Sequence, residues 1–252
     1  MLKMIKYDFI RNRLTIIILF SVLGASELLF LLGIAGLTVS FTTLGILGLF
    51  FGAAIIYFTI WLLGLISYSR DLHEKCGYMT FLVPVSPYKI IFSKLIAGFL
   101  ELLLTGAVLT LLAVLDMHLV NSRFGQQLSI INSLARTLNT SVDQVWYRIV
   151  AYFVAWCFNV LVLYAFAYLA TSISALISRT TGGQRALSVV FMILILIVYS
   201  VIIDKMPTIR TGSVTTFFAA ITQRLPQILL NIALTTACAV GSGYLMDKKI
   251  SL

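Results

Sequence analysis

Long apolar runs separated by shorter polar segments fill this sequence. A helix needs about 20 consecutive apolar residues to cross a bilayer, and six runs reach or approach that length. Their predicted bounds are about 14–38, 44–68, 90–115, 149–178, 186–203 and 227–246. The pattern predicts an all-α polytopic membrane protein, with six transmembrane helices in a single transmembrane domain over residues 1–252.

The N-terminal segment 1–13 combines basic side chains with one apolar face. Leu2, Ile5 and Phe9 recur every three or four residues, which places them on one side of a helix. The Lys and Arg residues between them can reach lipid headgroups. The segment therefore predicts an interfacial helix before the first span, with a frayed basic tail as the alternative.

Two longer polar segments separate later spans. Asp116 is expected to end the third span and to begin an external amphipathic segment, 116–148, in which apolar residues recur every three or four positions. Ser141-Val142-Asp143-Gln144 matches a capping box, so a helix is expected to begin there and continue into the fourth span. After the fifth span, Pro226 is expected to close a second external segment with a surface or re-entrant helix at 214–221.

Composition agrees with the membrane interpretation. Hydrophobic residues make up 60% of the chain and charged residues 11%, whereas a soluble domain has about a quarter of its residues charged. A net charge of +9 would suggest a nucleic-acid partner in a soluble protein, but here the positions of the basic residues along the chain explain the charge. Twelve of the 18 Lys and Arg residues lie at the termini and in alternate loops. The positive-inside tendency then predicts cytoplasmic termini and no nucleic-acid partner.

The sequence offers no catalytic or metal site. The three cysteines lack paired or metal-ligand spacing. Gly182-Gly183, in a basic turn at 179–185, lacks the Lys and Ser/Thr of a phosphate-binding loop. We therefore expect no enzymatic activity, no metal and no cofactor in this chain.

Glu27 and Glu101 are the two acids inside the predicted spans. A carboxylate at bilayer depth is costly unless it is protonated, paired or hydrated, so each is a candidate for a water-filled substrate path or a proton-sensitive site. The alternative is a structural hydrogen bond within the bundle, for instance to Asn159. Lys94 precedes Glu101 by one heptad, which favours the structural interpretation there. We carry Glu27, Glu101 and Asn159 as candidates for the substrate path.

The polar segment between the second and third runs is the most distinctive part of the chain. It contains Arg70-Asp71, then Lys75-Cys76-Gly77-Tyr78, then Leu82, Pro84 and Ser86, and it leads into a helix that begins near Pro87. This order resembles the cytoplasmic loop of six-span type-2 ABC export permeases. The resemblance extends to the six-span layout of the whole chain, although segment 116–148 is longer than expected for that family.

The resemblance implies a permease subunit that moves a peptide, antibiotic or toxin across the bacterial cytoplasmic membrane. Two such chains would pair, as a homodimer or a heterodimer, and each would bind a separate ATPase subunit that holds ATP and Mg. The loop, 70–86, would form a coupling helix that touches the ATPase. The implied contact residues are Arg70, Asp71, Glu74, Lys75, Tyr78 and Phe81. The alternative is a proton-coupled secondary transporter that uses Glu27 and Glu101.

Overall fold

The computed structural model describes residues 2–36, 39–73, 86–124, 142–177, 181–206 and 217–248. Within these ranges the regular structure is entirely helical. The helices are α1 (Leu2–Ile34), α2 (Val39–His73), α3 (Pro87–Phe124), α4 (Val142–Ile177), α5 (Thr181–Asp204) and α6 (Phe217–Lys248). All six are long and apolar enough to cross a membrane. The prediction of an all-α, multi-pass membrane protein is confirmed.

Two helix starts agree with local sequence signals. α3 begins at Pro87, where a proline lacks only an N–H that has no partner in a first turn. The backbone N–H groups of Lys89 and Ile90 donate to the carbonyl of Ser86 and close that turn. α4 begins at Val142, directly after the serine of the predicted capping box.

Four helices extend beyond the bounds predicted for their spans. α1 is continuous from Leu2, so residues 2–13 are its first turns and not a separate helix. α3 continues past Asp116 to Phe124, and α5 begins at Thr181, within the predicted basic turn. α6 begins at Phe217 and runs through Pro226. A single charged residue or proline is a local signal and does not by itself end a long helix.

The chain divides into two compact units. Unit 1 comprises Met1–Ser67 and Ile96–Leu128, and unit 2 comprises Tyr68–Leu95 and Ser129–Leu252. In unit 1, α1 ends at Ile34, and Gly36 follows with a φ of 99°, in the left-handed region that glycine tolerates. The chain then returns as α2, packed along α1.

Glycines on α2 bring the two backbones of this hairpin together. A Cβ atom on Gly45 would lie 2.5 Å from the Cα of Phe30, and one on Gly48 would lie 2.8 Å from the Oγ of Ser26. These distances leave no room for a larger side chain. Small residues at such positions let helices approach closely in a membrane, as the glycine-rich sequence of the second run predicts.

In unit 2, α4 packs against both α5 and α6. In the most apolar 18-residue stretch of α4, 39% of the residues are buried, which is the largest fraction among the six spans. The corresponding fraction in α5 is 6%, the smallest. The buried side of α4 carries small residues, tyrosines and hydroxyl groups: Tyr164, Ala165, Tyr168, Ala170, Ser172 and Ser174. α4 is therefore the central helix of this unit.

Candidate functional site at the base of the charged loop

The described residues at the two ends of the predicted coupling loop, 70–86, form a defined structure, which we call the loop base. It consists of residues 68–73 at the end of α2 and residues 86–95 at the start of α3. Both segments belong to unit 2. The loop base therefore positions the two ends of the charged segment, whose residues 74–85 lie outside the described ranges.

Tyr68 connects α2 to α4 and α6. Its side chain is fully buried, and its hydroxyl lies 2.6 Å from the Oγ of Ser172 and 3.2 Å from the sulfur of Met246. The Ser172 hydroxyl also lies within hydrogen-bonding distance of the carbonyl of Tyr168, and either hydroxyl can be the donor in the Tyr68–Ser172 contact. The rings of Tyr68 and Tyr168 are 4.4 Å apart between centroids. One buried side chain thus contacts two membrane helices.

A buried ion pair joins the two arms of the loop base. The Nζ of Lys94 on α3 lies 2.5 Å from the Oδ2 of Asp71 on α2, and the two side chains are 4% and 7% exposed. Removing one partner from such a pair leaves an uncompensated buried charge, which costs about 3–5 kcal/mol. The pair therefore holds the end of α2 against the start of α3.

The start of α3 packs closely against its neighbours. Ile90, Ile91, Ser93 and Leu95 are almost fully buried. A Cβ atom on Gly243 of α6 would lie 2.7 Å from the Cε1 of Tyr88, so this glycine makes room for the tyrosine ring. Both arms of the loop base are thus anchored inside unit 2.

The two predicted ATPase-contact residues that the structure describes, Arg70 and Asp71, differ in their exposure. Arg70 is exposed, whereas Asp71 is buried in the ion pair with Lys94. Asp71 thus faces the protein interior, which its position in a charged loop did not indicate. The other four predicted contact residues lie outside the described ranges: Glu74, Lys75, Tyr78 and Phe81.

Glu101, the second candidate for the substrate path, is hydrogen-bonded within unit 1. It is 3% exposed, and its carboxyl oxygens lie 3.1 and 3.0 Å from the amide nitrogen of Asn12, which donates to them. Asn12 lies in the N-terminal segment that was expected at the membrane interface. This contact fits the structural role that the sequence favoured for Glu101, with a partner that the sequence did not identify.

A second polar cluster ties the same end of α1 to α2. The guanidinium of Arg11 donates to Asp8 at 2.8 Å and also to the hydroxyl of Ser67. The Ser67 hydroxyl lies 3.3 Å from the same Asp8 oxygen. Asp8 and Ser67 are both buried. The first turns of α1 therefore pack against other helices of unit 1, which explains why they continue the span.

Glu27 lies beside a second carboxyl group. Its side chain on α1 is within hydrogen-bonding reach of Asp116 on α3. The Oε2 of Glu27 and the Oδ1 of Asp116 are buried and have no hydrogen-bond partner among the described residues. The sequence did not bring these two residues together, because Asp116 was expected to end the third span outside the membrane.

Asn159 belongs to a polar triad that joins α4, α5 and α6. The hydroxyl of Tyr199 lies 2.7 Å from the Oδ1 of Asn159 and 2.8 Å from the Oδ1 of Asn231, and the amide of Asn231 donates to Asn159 at 2.9 Å. Tyr199 has one hydroxyl hydrogen, so it donates to only one of the two oxygens at a time. The sequence identified Asn159 alone, although Asn231 is also an amide within an apolar run.

The described residues contain no group of three or more His, Cys, Asp or Glu side chains that could hold a metal ion. No protein-family model, curated protein or solved structure matches this chain. Its function is therefore inferred from its own residues and contacts.

Proposed function

We propose that this chain is the permease subunit of an ATP-driven exporter in the bacterial cytoplasmic membrane. Its cargo would be an amphipathic or hydrophobic molecule, such as a peptide, antibiotic or toxin. Two permease chains would pair, and each would bind one ATPase subunit that carries ATP and Mg. Both termini and the charged loop would face the cytoplasm, with the first turns of α1 near the membrane surface.

The anchoring of the loop base is the observation that carries this proposal. A loop that receives force from a partner is useful only if its two ends are attached firmly to membrane helices. Tyr68 is buried against α4 and α6, and Asp71 and Lys94 join the two arms. A displacement of the loop would therefore move α4 and α6, because the two ends of the loop are not free to bend separately.

The contacts also assign different roles to neighbouring residues. Arg70 is exposed and would meet the ATPase, together with the loop residues Glu74, Lys75, Tyr78 and Phe81. Asp71 would act as a positioning residue, because its carboxylate is already paired with Lys94. Charge reversal at Asp71 would then impair docking indirectly, through the loop base, and would not report on the docking surface itself.

Co-purification tests the exporter assignment. The tagged chain, expressed with the genes that flank its own, should bring down an ATPase in stoichiometric amount. Glu74→Lys should weaken this capture, because it reverses a charge in the proposed docking loop. Asp247→Lys reverses an exposed charge at the end of α6 and serves as the control. A chain that purifies without any ATPase would overturn the proposal.

Coupling is tested separately from docking. Tyr68→Phe removes the hydroxyl that contacts Ser172 and Met246 but keeps the buried ring. We expect normal ATPase capture and a reduced response of ATP hydrolysis to cargo. Tyr7→Phe, at an exposed position on α1, is the control. Full coupling in Tyr68→Phe would show that the Tyr68 hydroxyl does not transmit the movement of the loop. The exporter assignment would then depend on the capture experiment alone.

A second candidate function is proton-coupled transport, and the pair of Glu27 and Asp116 favours it. Two neighbouring carboxyl groups can share one proton, and each has a buried oxygen without a hydrogen-bond partner among the described residues. Glu101, bonded to Asn12, would then support the site. Uptake into proteoliposomes driven by a pH gradient without ATP, and lost in Glu27→Gln, would establish this function in place of the first.

A further inference from the structure

An apolar cavity lies between α4, α5 and α6, within unit 2. Its volume is about 290 Å³. Eight described residues line it, and none presents a polar atom to it: Phe166, Leu194, Ile195, Val198, Tyr199, Ile202, Leu234 and Cys238. Nothing discussed above assigns a role to this cavity.

The residues that line the cavity determine which kind of molecule can bind in it. Water in a protein cavity needs two to four polar partners, and these walls offer none. An apolar cavity of about 150 Å³ is large enough to bind benzene, so this one has room for a stretch of hydrocarbon chain. A polar or charged ligand would lose its hydration without compensation. The occupant must therefore be a hydrocarbon.

The shape of the cavity favours a chain over a compact molecule. Leu194, Val198 and Ile202 line it at intervals of four residues along α5, which corresponds to about 12 Å of helix. All three are exposed on the outer side of α5, so the cavity opens along the helix towards its surroundings. α5 is also the most apolar span, with a mean hydropathy of 3.0. The surroundings of such a surface in a membrane are acyl chains.

We propose that this cavity binds one acyl chain of a bilayer phospholipid, lying along α5. The chain contacts the exposed rim of α5 on one side and the buried walls Phe166 and Cys238 on the other. This site is independent of any ATPase and holds equally for either function proposed above.

Tyr199 links the acyl chain to the polar triad. Its ring is part of the cavity wall and meets Phe166 edge to face at 5.2 Å, while its hydroxyl reaches Asn159 and Asn231. A chain in the cavity holds the ring in place from the apolar side. The lipid therefore braces α5 against α4 and α6, where α5 itself buries little surface.

Photolabelling with a phospholipid that carries a diazirine on its acyl chain tests this site in proteoliposomes. Bulk lipid touches the exposed rim of α5 in any case, so rim adducts carry no information. Adducts on the buried residues Phe166 and Cys238, mapped by mass spectrometry, are the expected result. Adducts confined to the rim would overturn the proposal.

Cavity-filling variants sharpen the test. Leu234→Trp places a large side chain in the cavity, and the adducts on Phe166 and Cys238 should be lost. Ile232→Trp, on the exposed side of α6, should leave them unchanged. If Leu234→Trp does not fold, Ile195→Phe fills the same space from α5. Unchanged labelling of the buried walls in a folded, filled variant would overturn the proposal.

Two other occupants give distinct results. A photoreactive fatty acid that labels Cys238 when the phospholipid does not would assign the cavity to single-chain amphiphiles. A crosslink from a diazirine amino acid at Val198 to a second copy of this chain, without any lipid adduct on the buried walls, would assign this face to a dimer interface. Either result would overturn the assignment to a bilayer lipid.

Discussion

Away from the polar cluster of Asp8, Arg11 and Ser67, the α1–α2 hairpin of unit 1 is held together by other contacts than the α4–α5–α6 group of unit 2. Their mean hydropathies overlap, at 2.3 for α1 and α2 and 2.1 for α4. In the hairpin, Gly45 and Gly48 allow the backbones to approach closely. In the three-helix group, amide and hydroxyl side chains bond across the helices.

The difference shows that mean hydropathy does not predict which contacts hold membrane helices together. Lipid tails are as apolar as leucine side chains, so burial of apolar surface does not by itself drive membrane helices together. Close packing and interhelical hydrogen bonds remain, and the glycine contacts of the hairpin use the first where the Asn159–Tyr199–Asn231 triad uses the second.

The largest effect is expected in unit 2, at the loop base. Lys94→Met leaves the Asp71 carboxylate buried without its cation, and we expect a loss of about 3–5 kcal/mol in the free energy of unfolding. Unfolding in detergent, followed by circular dichroism, measures it. Lys89→Met, at an exposed position on the same helix, should change stability by no more than about 0.5 kcal/mol.

The double variant Asp71→Leu/Lys94→Met completes that experiment. Removing both charges eliminates the unpaired carboxylate, and replacement of a buried pair by apolar residues is often close to neutral. The double variant should therefore be more stable than Lys94→Met alone. Equal losses in both would show that the ion pair is not the source of the effect.

The glycine contact of unit 1 should give the next effect. In Gly45→Leu the new Cβ would lie 2.5 Å from the backbone of Phe30, so the helices must separate, at a cost of about 3 kcal/mol. Gly24→Leu, where no atom lies within 4 Å of the Cβ position, is the matched control. Thermal unfolding compares the two. A similar loss at both positions would mean that side-chain size, and not close approach, sets the effect.

The triad of unit 2 should respond least. Tyr199→Phe removes the hydroxyl that lies near Asn159 and Asn231 but leaves the bond between the two amides. Interhelical hydrogen bonds in membrane proteins average about 0.6 kcal/mol, and we expect a loss of that size. Tyr152→Phe, on an exposed part of α4, should have no effect. A loss as large as that of Gly45→Leu would contradict the contrast between the units.

The sequence predicts the number and type of the membrane helices, because apolar runs of this length report directly on burial in lipid. It also determined the starts of α3 and α4, since proline and the capping box act within one helical turn. It failed at Asp116 and Pro226, which lie inside α3 and α6, because a charged residue or a proline is only a local signal and does not by itself end a long helix.

The partners of the polar side chains follow from the packing of the helices and not from the sequence pattern. Asp71 pairs with Lys94, Glu101 with Asn12, Glu27 lies beside Asp116, and Asn159 bonds to Tyr199 and Asn231. Hydropathy marks such residues as exceptional, because a polar group among apolar ones needs a partner. It does not name the partner, since which faces of two helices meet depends on their packing, and residues far apart in sequence then become neighbours.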